Sequence, residues 1–319
     1  MVSGGATRAA RRGMSKKERR NQRNGLLFVA PWIVGFLIFQ LYPTLASLYY
    51  SFTTYSILDV GSWIGLANYQ AMLTNDPQFW TAVSNTLFYA AVSVPVGLLV
   101  SFILALLLNV RLPEMAWYRT IYYLPTLVPA VAGSFLFLWL LNPEFGLVNA
   151  LLRSVGIEGP GWLSDPNWSK PSLILMSFWG VGAATIIFLA GLGDIPQELH
   201  EAAMLDGATW WRRLRAIIVP MMTPIIFFNL IMGIIGSFQV FTQVYILGGG
   251  SSQTPGAPQD SLLFYQLYLF VTAFSNLKMG YASAMAWLLM LAILAVTVSV
   301  FKTQRRWVFY MGDASDQEG

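Results

Sequence analysis

Long apolar stretches alternate with short polar ones along this chain. Six of the apolar stretches contain no Asp, Glu, Lys, Arg or His: Leu26 to Tyr50, Thr81 to Asn109, Thr120 to Leu141, Pro171 to Gly193, Ala216 to Leu247 and Tyr281 to Phe301. Each exceeds the roughly twenty residues that a helix rising about 1.5 Å per residue needs to cross a hydrocarbon layer of about 30 Å. The pattern predicts six membrane-spanning helices in an all-α, polytopic protein. The first stretch is too long for a cleaved signal segment and no small-residue cleavage site follows it, so it reads as a retained span.

Composition agrees with the pattern. Of 319 residues, 56% are hydrophobic and only 11% charged, where a soluble domain carries about a quarter charged residues. Cysteine is absent and His200 is the one histidine. That excludes a disulfide framework and thiolate metal sites, and leaves little for zinc or a histidine-based triad.

The cations set an orientation. Eight precede Leu26 (Arg8, Arg11, Arg12, Lys16, Lys17, Arg19, Arg20 and Arg23), and eight more fall on the same side of an even-numbered bundle: Arg111, Arg119, Arg212, Arg213, Arg215, Lys302, Arg305 and Arg306. Only Arg153, Lys170 and Lys278 of the 19 remain for the other side. By the positive-inside rule both termini are cytoplasmic. The implied divisions are a basic, disordered tail at 1–25, a first span at 26–50, an outward loop at 51–80, a transmembrane core at 81–301 with a cytoplasmic loop at 194–220, and a cytoplasmic tail at 302–319. The basic tail reads as topogenic and in contact with anionic lipid, and the net charge of +4 requires no nucleic acid.

Uncharged spans bear on mechanism. Ion-coupled carriers, proton pumps and voltage sensors keep ionisable groups at membrane depth at a cost of roughly 2.5–3.5 kcal/mol each. This chain has none there, although carbonyls and hydroxyls alone can hold sodium. No H-E-x-x-H, G-x-S-x-G, paired-aspartate or nucleotide-binding motif is present, and the run Gly248 to Ser252 lacks the Lys and spacing of a phosphate loop. The implied cofactor list is empty, with no catalytic and no metal residues. Outward, Asn142 to Lys170 is rich in turn signals around a short helical run at Val148 to Val155. Gly248 to Asp260 is a flexible turn-rich segment, and Leu262 to Phe274 is too short to span and reads as an interfacial or re-entrant helix.

The charged island Glu201 to Pro220, EAAMLDGATWWRRLRAIIVP, interrupts the apolar pattern. Pro196 and Glu198 start a short helix, Gly207 breaks it, and Thr209 caps a second one entering Trp210, Trp211 and Leu214. On hydrophobicity alone it is an amphipathic loop on the membrane surface. Its spacing, however, with Glu201, Ala202, Ala203, Gly207, Ile217, Val219 and Pro220, resembles the E-A-A-x3-G-x9-I-x-L-P signature of permease subunits of binding-protein-dependent ABC importers. Val219 stands where that pattern has leucine. Further segments extend the likeness over Leu26 to Phe301, including PWIVGFLIFQLYPTLASLYYSFTTYS from Pro31, RTIYYLPTLVP from Arg119, NPEFGLVN from Asn142 and GYASAMA from Gly280. The chain is similar to the carbohydrate-uptake branch, on the side of the larger maltose and glycerol-3-phosphate permease subunits.

The resemblance implies a type I ABC importer permease fold in a bacterial or archaeal inner membrane. It implies partners: a second homologous permease, two cytoplasmic ATP-binding subunits and an extracytoplasmic solute-binding protein that delivers a small neutral sugar or polyol. ATP hydrolysis would belong to the partner subunits, not to this chain. It implies that Glu201, Ala202 and Ala203 sit on a coupling helix entering a cleft on the ATPase, that Gly207 permits the turn, and that Ile217 and Pro220 anchor the loop to the fifth span. In that span, at about 100° per residue, Asn229, Met232, Gly236, Gln239 and Gln243 fall within a stripe of about 80°. These amides suit sugar hydroxyls, with Tyr245 and Trp179 as aromatic companions. The same amides equally suit helix-to-helix hydrogen bonding, and both readings stand at this point. Prolines at 95, 125, 129, 220 and 224 and glycines at 97, 133, 180, 182, 233 and 236 punctuate the spans. His200 reads as an interface or solvent-facing residue. A self-sufficient carrier or channel, and a membrane transferase, are the competing classes; the second lacks an evident acid, base or metal site.

Overall fold

The computed structural model describes residues 16–110, 112–248 and 255–309. The basic residues Arg8, Arg11, Arg12 and Arg111, residues 249–254 of the glycine-rich outward loop and the end of the C-terminal tail lie outside the described residues. The chain divides into two compact units, Met1–Tyr50 and Ser51–Gly319.

The first unit is a helical rod: α1 (Lys16–Phe36), a π turn (Leu37–Leu41) and α2 (Tyr42–Ser51), which runs into the second unit. The helix already includes Lys16, the first described residue, ahead of the apolar stretch; the Lys, Arg, Glu and Gln of that segment are strong helix formers, and the basic residues 16–25 are helical and not the disordered tail expected for them. The π turn has a local cause. Pro43 offers no N–H to the Phe39 carbonyl and its ring presses on it. Adding a residue to the turn relieves the clash, with the Tyr42 N–H bonded to the Leu37 carbonyl. Thr44 Oγ1 donates to the Gln40 carbonyl at 2.7 Å, so that group is satisfied too. Phe28, Trp32 and Phe39 are 88, 70 and 79% exposed, as suits a helix solvated by lipid.

The second unit is built on one long helix. Asp76 accepts from the Phe79 N–H at 3.1 Å and Pro77 takes the first helical position, a strong start signal for α4 (Pro77–Leu108). At its other end the Arg119 guanidinium donates from Nη2 to the Leu108 carbonyl at 3.0 Å. Before α4 lies α3 (Ala67–Thr74). After it come α5 (Met115–Tyr123), α6 (Ala130–Leu140), α7 (Leu147–Ser154), α8 (Pro166–Ser177), α9 (Gly182–Gly193), α10 (Gln197–Leu205), α11 (Trp210–Arg213), α12 (Val219–Phe238), α13 (Thr242–Leu247), α14 (Tyr265–Phe270) and α15 (Met279–Gln304). Among the described residues there are two isolated β-bridges and no strand.

Among the described residues, four helical runs are long and apolar enough to cross a membrane, and two bent pairs bring the number to six when each pair is one span. Met115–Leu127 and Ala130–Leu140 meet at 97°, and Pro166–Gly180 and Gly182–Gly193 at 47°. Pro125 and Pro129 break the first pair, with the Val128 backbone extended between them. At the second break Gly182 packs against the Tyr122 carbonyl, where a Cβ would lie 2.3 Å from the oxygen. The third and fourth spans are therefore bent, not straight.

Three buried clusters surround α4. Met72, Phe79, Tyr265 and Met285 form one with α3, α14 and α15. Tyr89, Leu173, Val244 and Phe264 form another with α8, α13 and α14. Ala105, Phe188, Leu192, Ile195, Ile218 and Met222 form the third at the far end of α4, with α9 and α12. Of the two states expected for the segment 262–274, interfacial or re-entrant, its burial within the bundle goes against the first. Leu262 and Leu263 are fully buried, and Leu267 and Val271 nearly so. Its phenols bond inside the protein, Tyr265 to the Met285 carbonyl and Tyr268 to Asp76, so the segment packs among α4, α8 and α15. At the C-terminus, Trp307 stacks edge-on against Phe227 and the Phe309 N–H donates to Thr223 Oγ1 at 2.9 Å, folding residues 305–309 back onto α12.

Asn85 ties the inserted segment to α4. Its Nδ2 donates to the carbonyls of Asp260 and Leu263 at 2.8 and 2.9 Å, and its Oδ1 accepts from Lys170 Nζ at 2.8 Å. Asn85→Leu takes the amide donor from the buried Leu263 carbonyl and from the Asp260 carbonyl, which keeps the Leu263 N–H, and removes the oxygen that Lys170 Nζ bonds. We expect a loss of about 2–4 kcal/mol, read as a lower unfolding midpoint in detergent.

Candidate functional site

Two features carry the functional geometry of the second unit: a cavity beside α4 and a finger projecting from α9 and α12. The cavity, about 550 Å³, lies between α4, α9 and α12, where residues 93–101 of α4 pass between two of the buried clusters. Its walls are mostly apolar, with Ser93, Ser101, Ser177, Ser237 and Asn229 as polar groups and no charged side chain. Ser101, Ser177 and Ser237 donate to carbonyls of their own helices at 2.6–2.8 Å, and Asn229 Nδ2 donates to the Ile225 carbonyl at 3.0 Å. What they leave for a solute is mainly acceptor lone pairs. Such a lining favours weak, reversible contact with hydroxyls over tight capture. A second cavity of about 330 Å³ adjoins it, sharing Tyr89, Ser177, Gly180 and Ala183, and is lined also by Trp179, Gln243, Pro125 and Gly133.

The fifth-span stripe does not survive as one surface. Helical bonding lapses between Phe238 and Thr242, so α13 does not continue the register of α12. Asn229, Met232 and Gly236 line the larger cavity, and Gln243 and Trp179 the smaller one. Gln239, at the break, is exposed and lines neither. Tyr245 packs against Phe241 and Phe270, with ring centroids at 5.4 and 5.6 Å. The serines of α4 and Ser177, which face the cavity, carry no motif. Their signal is hydroxyls recurring in an otherwise apolar helix.

The finger is α10 with its turn. Pro196 precedes it and Glu198 lies in its first turn, facing the positive end of the helix dipole. Gly207, at φ +70°, closes it: its N–H bonds to the Met204 carbonyl at 3.1 Å and the Ala208 N–H to the Ala203 carbonyl at 2.9 Å. This paired closure needs a left-handed residue, hence glycine. Thr209 Oγ1 then accepts from the Arg212 N–H at 3.4 Å to start α11. A π turn, Leu214–Ile218, leads into α12 just ahead of Pro220, for the same steric reason as at Pro43.

Glu201 is exposed on α10 and accepts from Gln197 Nε2 at 2.7 Å. Ala202 is exposed and Ala203 half-buried, while Leu205 at the tip is 90% exposed. The base is different. Ile195 on one side and Ile217 with Ile218 on the other enter the same buried cluster as Phe188, Leu192 and Met222. Half-buried Pro220 follows, its carbonyl accepting from Thr223 Oγ1. Both ends of the finger are thus rooted in one piece of core, and Ile195 belongs to that root although the motif omits it. Its signal was an apolar residue before Pro196 at the end of a span.

The chain matches the model of the family described as binding-protein-dependent transport system inner membrane component over residues 97–308. It is 40% identical over 298 residues to a probable ABC transporter permease protein, YesP, of Bacillus subtilis, covering 93% of this chain and 95% of that one. It is 34% identical to the lactose transport system permease protein LacF of Rhizobium radiobacter, over 91% of this chain and 97% of LacF. Among solved structures, a chain of a bacterial alginate ABC transporter in complex with an alginate pentasaccharide-bound periplasmic protein superposes with a TM-score of 0.77 at 25% identity, covering 90% of this chain and 96% of that one. The chain belongs to the family of inner-membrane permease components of binding-protein-dependent ABC transport systems. It is a multi-pass membrane protein whose role is transport and not catalysis.

The closure at Gly207 makes a measurable demand. In Gly207→Ala the left-handed backbone costs about 1–2 kcal/mol, which opens the turn roughly 5–30 times more often. Tryptic cleavage at Arg212 and Arg213 should accelerate accordingly, with Gly207→Asn falling between the two.

Proposed function

We propose that this chain is one of a pair of permease subunits that import a neutral sugar or related polyol, driven by separate cytoplasmic ATPases that engage the 194–220 loop. Both termini and that loop face the cytoplasm, on the strength of the cation distribution. An extracytoplasmic binding protein delivers the solute to the opposite face. The observation that carries the reading is the common root of the finger. Ile195, Ile217 and Ile218 pack on Ala105, Phe188 and Leu192, and residues next along the same helices, Ser101 and Ile187, line the cavity. A push on α10 therefore reaches the cavity wall through rigid packed contacts, as interconverting membrane helices require.

The finger suits a protein partner. Its tip offers Leu205 and Met204 as apolar surface beside the Glu201 carboxylate, with Trp210 and Trp211 exposed at the second helix. Glu201 supplies charge to a basic cleft, Ala202 and Ala203 allow close approach, and Gly207, Ile217 and Pro220 hold the shape. Sugar as the solute is supported by the uncharged, hydroxyl-bearing cavity, by Trp179 and Gln243 in the adjoining one, and by the relatives, whose names include lactose and arabinooligosaccharide transport systems.

Reconstitution of the complete complex in vesicles tests the coupling. For Glu201→Ala we expect ATP-driven uptake to fall at least about tenfold and ATPase association to weaken by roughly 2 kcal/mol or more, as for loss of one member of a charge pair. Unchanged uptake together with unchanged association would remove the coupling role from Glu201.

A further inference from the structure

The start of α12 is short of backbone bonds. Ala216 and Pro220 cannot receive the usual helical bond from the residue four places on, because Pro220 and Pro224 have no N–H. The π turn Leu214–Ile218 spans the first gap, with the Val219 N–H bonded to the Leu214 carbonyl. At the second gap the Thr223 hydroxyl donates to the Pro220 carbonyl at 2.6 Å. Helix supported in this way bends more readily than an unbroken one.

Its position gives that softness a consequence. Ile218 and Met222 belong to the buried core at the root of the finger, while Phe228, Asn229 and Met232 of the same helix line the larger cavity. Displacement that passes along α12 from finger to cavity crosses residues 220–224.

The C-terminal turn at 305–309 lies against this joint. It is closed on the end of α15 by bonds from the Arg306 N–H to the Thr303 carbonyl at 3.0 Å, and from the Trp307 and Val308 N–H groups to the Gln304 carbonyl at 3.1 and 2.9 Å. From there the Phe309 N–H reaches Thr223 Oγ1 at 2.9 Å. Phe301 and Trp307 both meet the Phe227 ring edge-on, with centroids at 5.0 and 5.9 Å. Thr223 and Phe227 are buried, so these contacts are made in packed surroundings. The one threonine oxygen thus accepts from the C-terminal turn and donates to the proline that ends the finger loop. A hydroxyl engaged on both sides is held in one orientation, and each bond strengthens the other.

We propose that the turn at 305–309 splints the joint at 220–224 through Thr223, a positioning residue that sets how completely displacement of α10 reaches the cavity. The aromatic contacts on Phe227 hold the turn one helical turn further along, so a polar and an apolar contact brace the same length of α12. Close-packed contacts transmit strain that a proline-broken stretch would absorb by bending. The transmission rests on the coupling reading of the 194–220 loop; the bracing does not.

Two measurements on the complete complex in lipid nanodiscs separate these. Hydrogen exchange reads the brace. In Thr223→Val we expect exchange over 221–229 and at Phe309 to quicken about fivefold, as for one lost hydrogen bond, and in Thr223→Ser to return to the parent rate. A chain ending at Arg306 keeps the terminal cations and should match or exceed Thr223→Val, while one ending at Tyr310 should match the parent. Transmission is read from Met232→Cys, which places a single cysteine on the cavity wall of a chain that has none. Its rate of alkylation by N-ethylmaleimide is taken with and without ATP, and the ratio of the two rates should change at least about threefold less in Thr223→Val than in the parent, with recovery in Thr223→Ser. Loss of folded complex lowers the amount alkylated and leaves that ratio unmoved. Unchanged exchange in Thr223→Val and in the chain ending at Arg306 overturns the splint. Faster exchange with an undiminished ATP response overturns the positioning role of Thr223. Absence of an ATP response in the parent overturns the coupling reading and the transmission with it, and the exchange result then still decides the brace.

Discussion

Within hydrocarbon every backbone N–H and C=O must find its partner inside the protein, and this constraint governs where the helices of this chain are allowed to break. They break at Leu124–Pro129, at Gly180–Val181 and at Gln239–Phe241. Pro125 and Val128 line the smaller cavity, Val181 and Val240 the larger, and Gly180 both. Irregular backbone is thus gathered around enclosed space. α4, which carries no such break despite Pro95, supplies the rigid wall opposite. The cavity is a consequence of concentrating the breaks on one side of a continuous helix.

The same helix relates the two ends of the second unit. Toward its start, Asn85 and Thr86 hold the inserted segment by side-chain bonds to the Leu263 carbonyl and the Tyr265 N–H. Toward its end, Ala105 packs where the finger is rooted, and the Leu108 carbonyl accepts from the Arg119 guanidinium that closes the last turn. The polar anchors are placed where backbone must be tied to backbone, and the apolar cluster where a lever must transmit displacement without specific bonds. The π turn before Pro220 sits between the finger and α12, a helical element that can widen or tighten by one residue, and Trp307 and Phe309 pack on α12 beyond it, at Phe227 and Thr223. Motion imposed on α10 therefore enters a part of the chain whose contacts are steric and continuous.

Local pattern made much of this legible. Gly207 was readable because a short helix followed by a capped second one needs a left-handed residue between them, and Thr209 because a hydroxyl preceding Trp210 fits an N-cap. The bends at Pro125, Pro129, Gly180 and Gly182 were visible as punctuation, but not their angles of 97° and 47°, which neighbouring helices set. The amide stripe failed because it assumed one unbroken helix through Gln239, so that Gln239 and Gln243 were assigned a common face they do not share. The segment from Leu262 to Phe274 read as either interfacial or re-entrant because a short apolar run looks the same on a membrane surface as inside a bundle. The choice depended on Asn85, far away in sequence.

The membrane class, the six apolar stretches, the gathering of cations in alternate loops and the two-helix form of the 194–220 loop were readable before any packing was known. Each of these depends on spacing within a few turns of helix or on composition. Packing alone set which serines face a cavity, that Ile195 and Ile218 share one core, and that Asp76 meets Tyr268 and Tyr281. Those contacts join residues up to 205 positions apart. No periodicity records them, because they arise from how bent helices pack around one straight one.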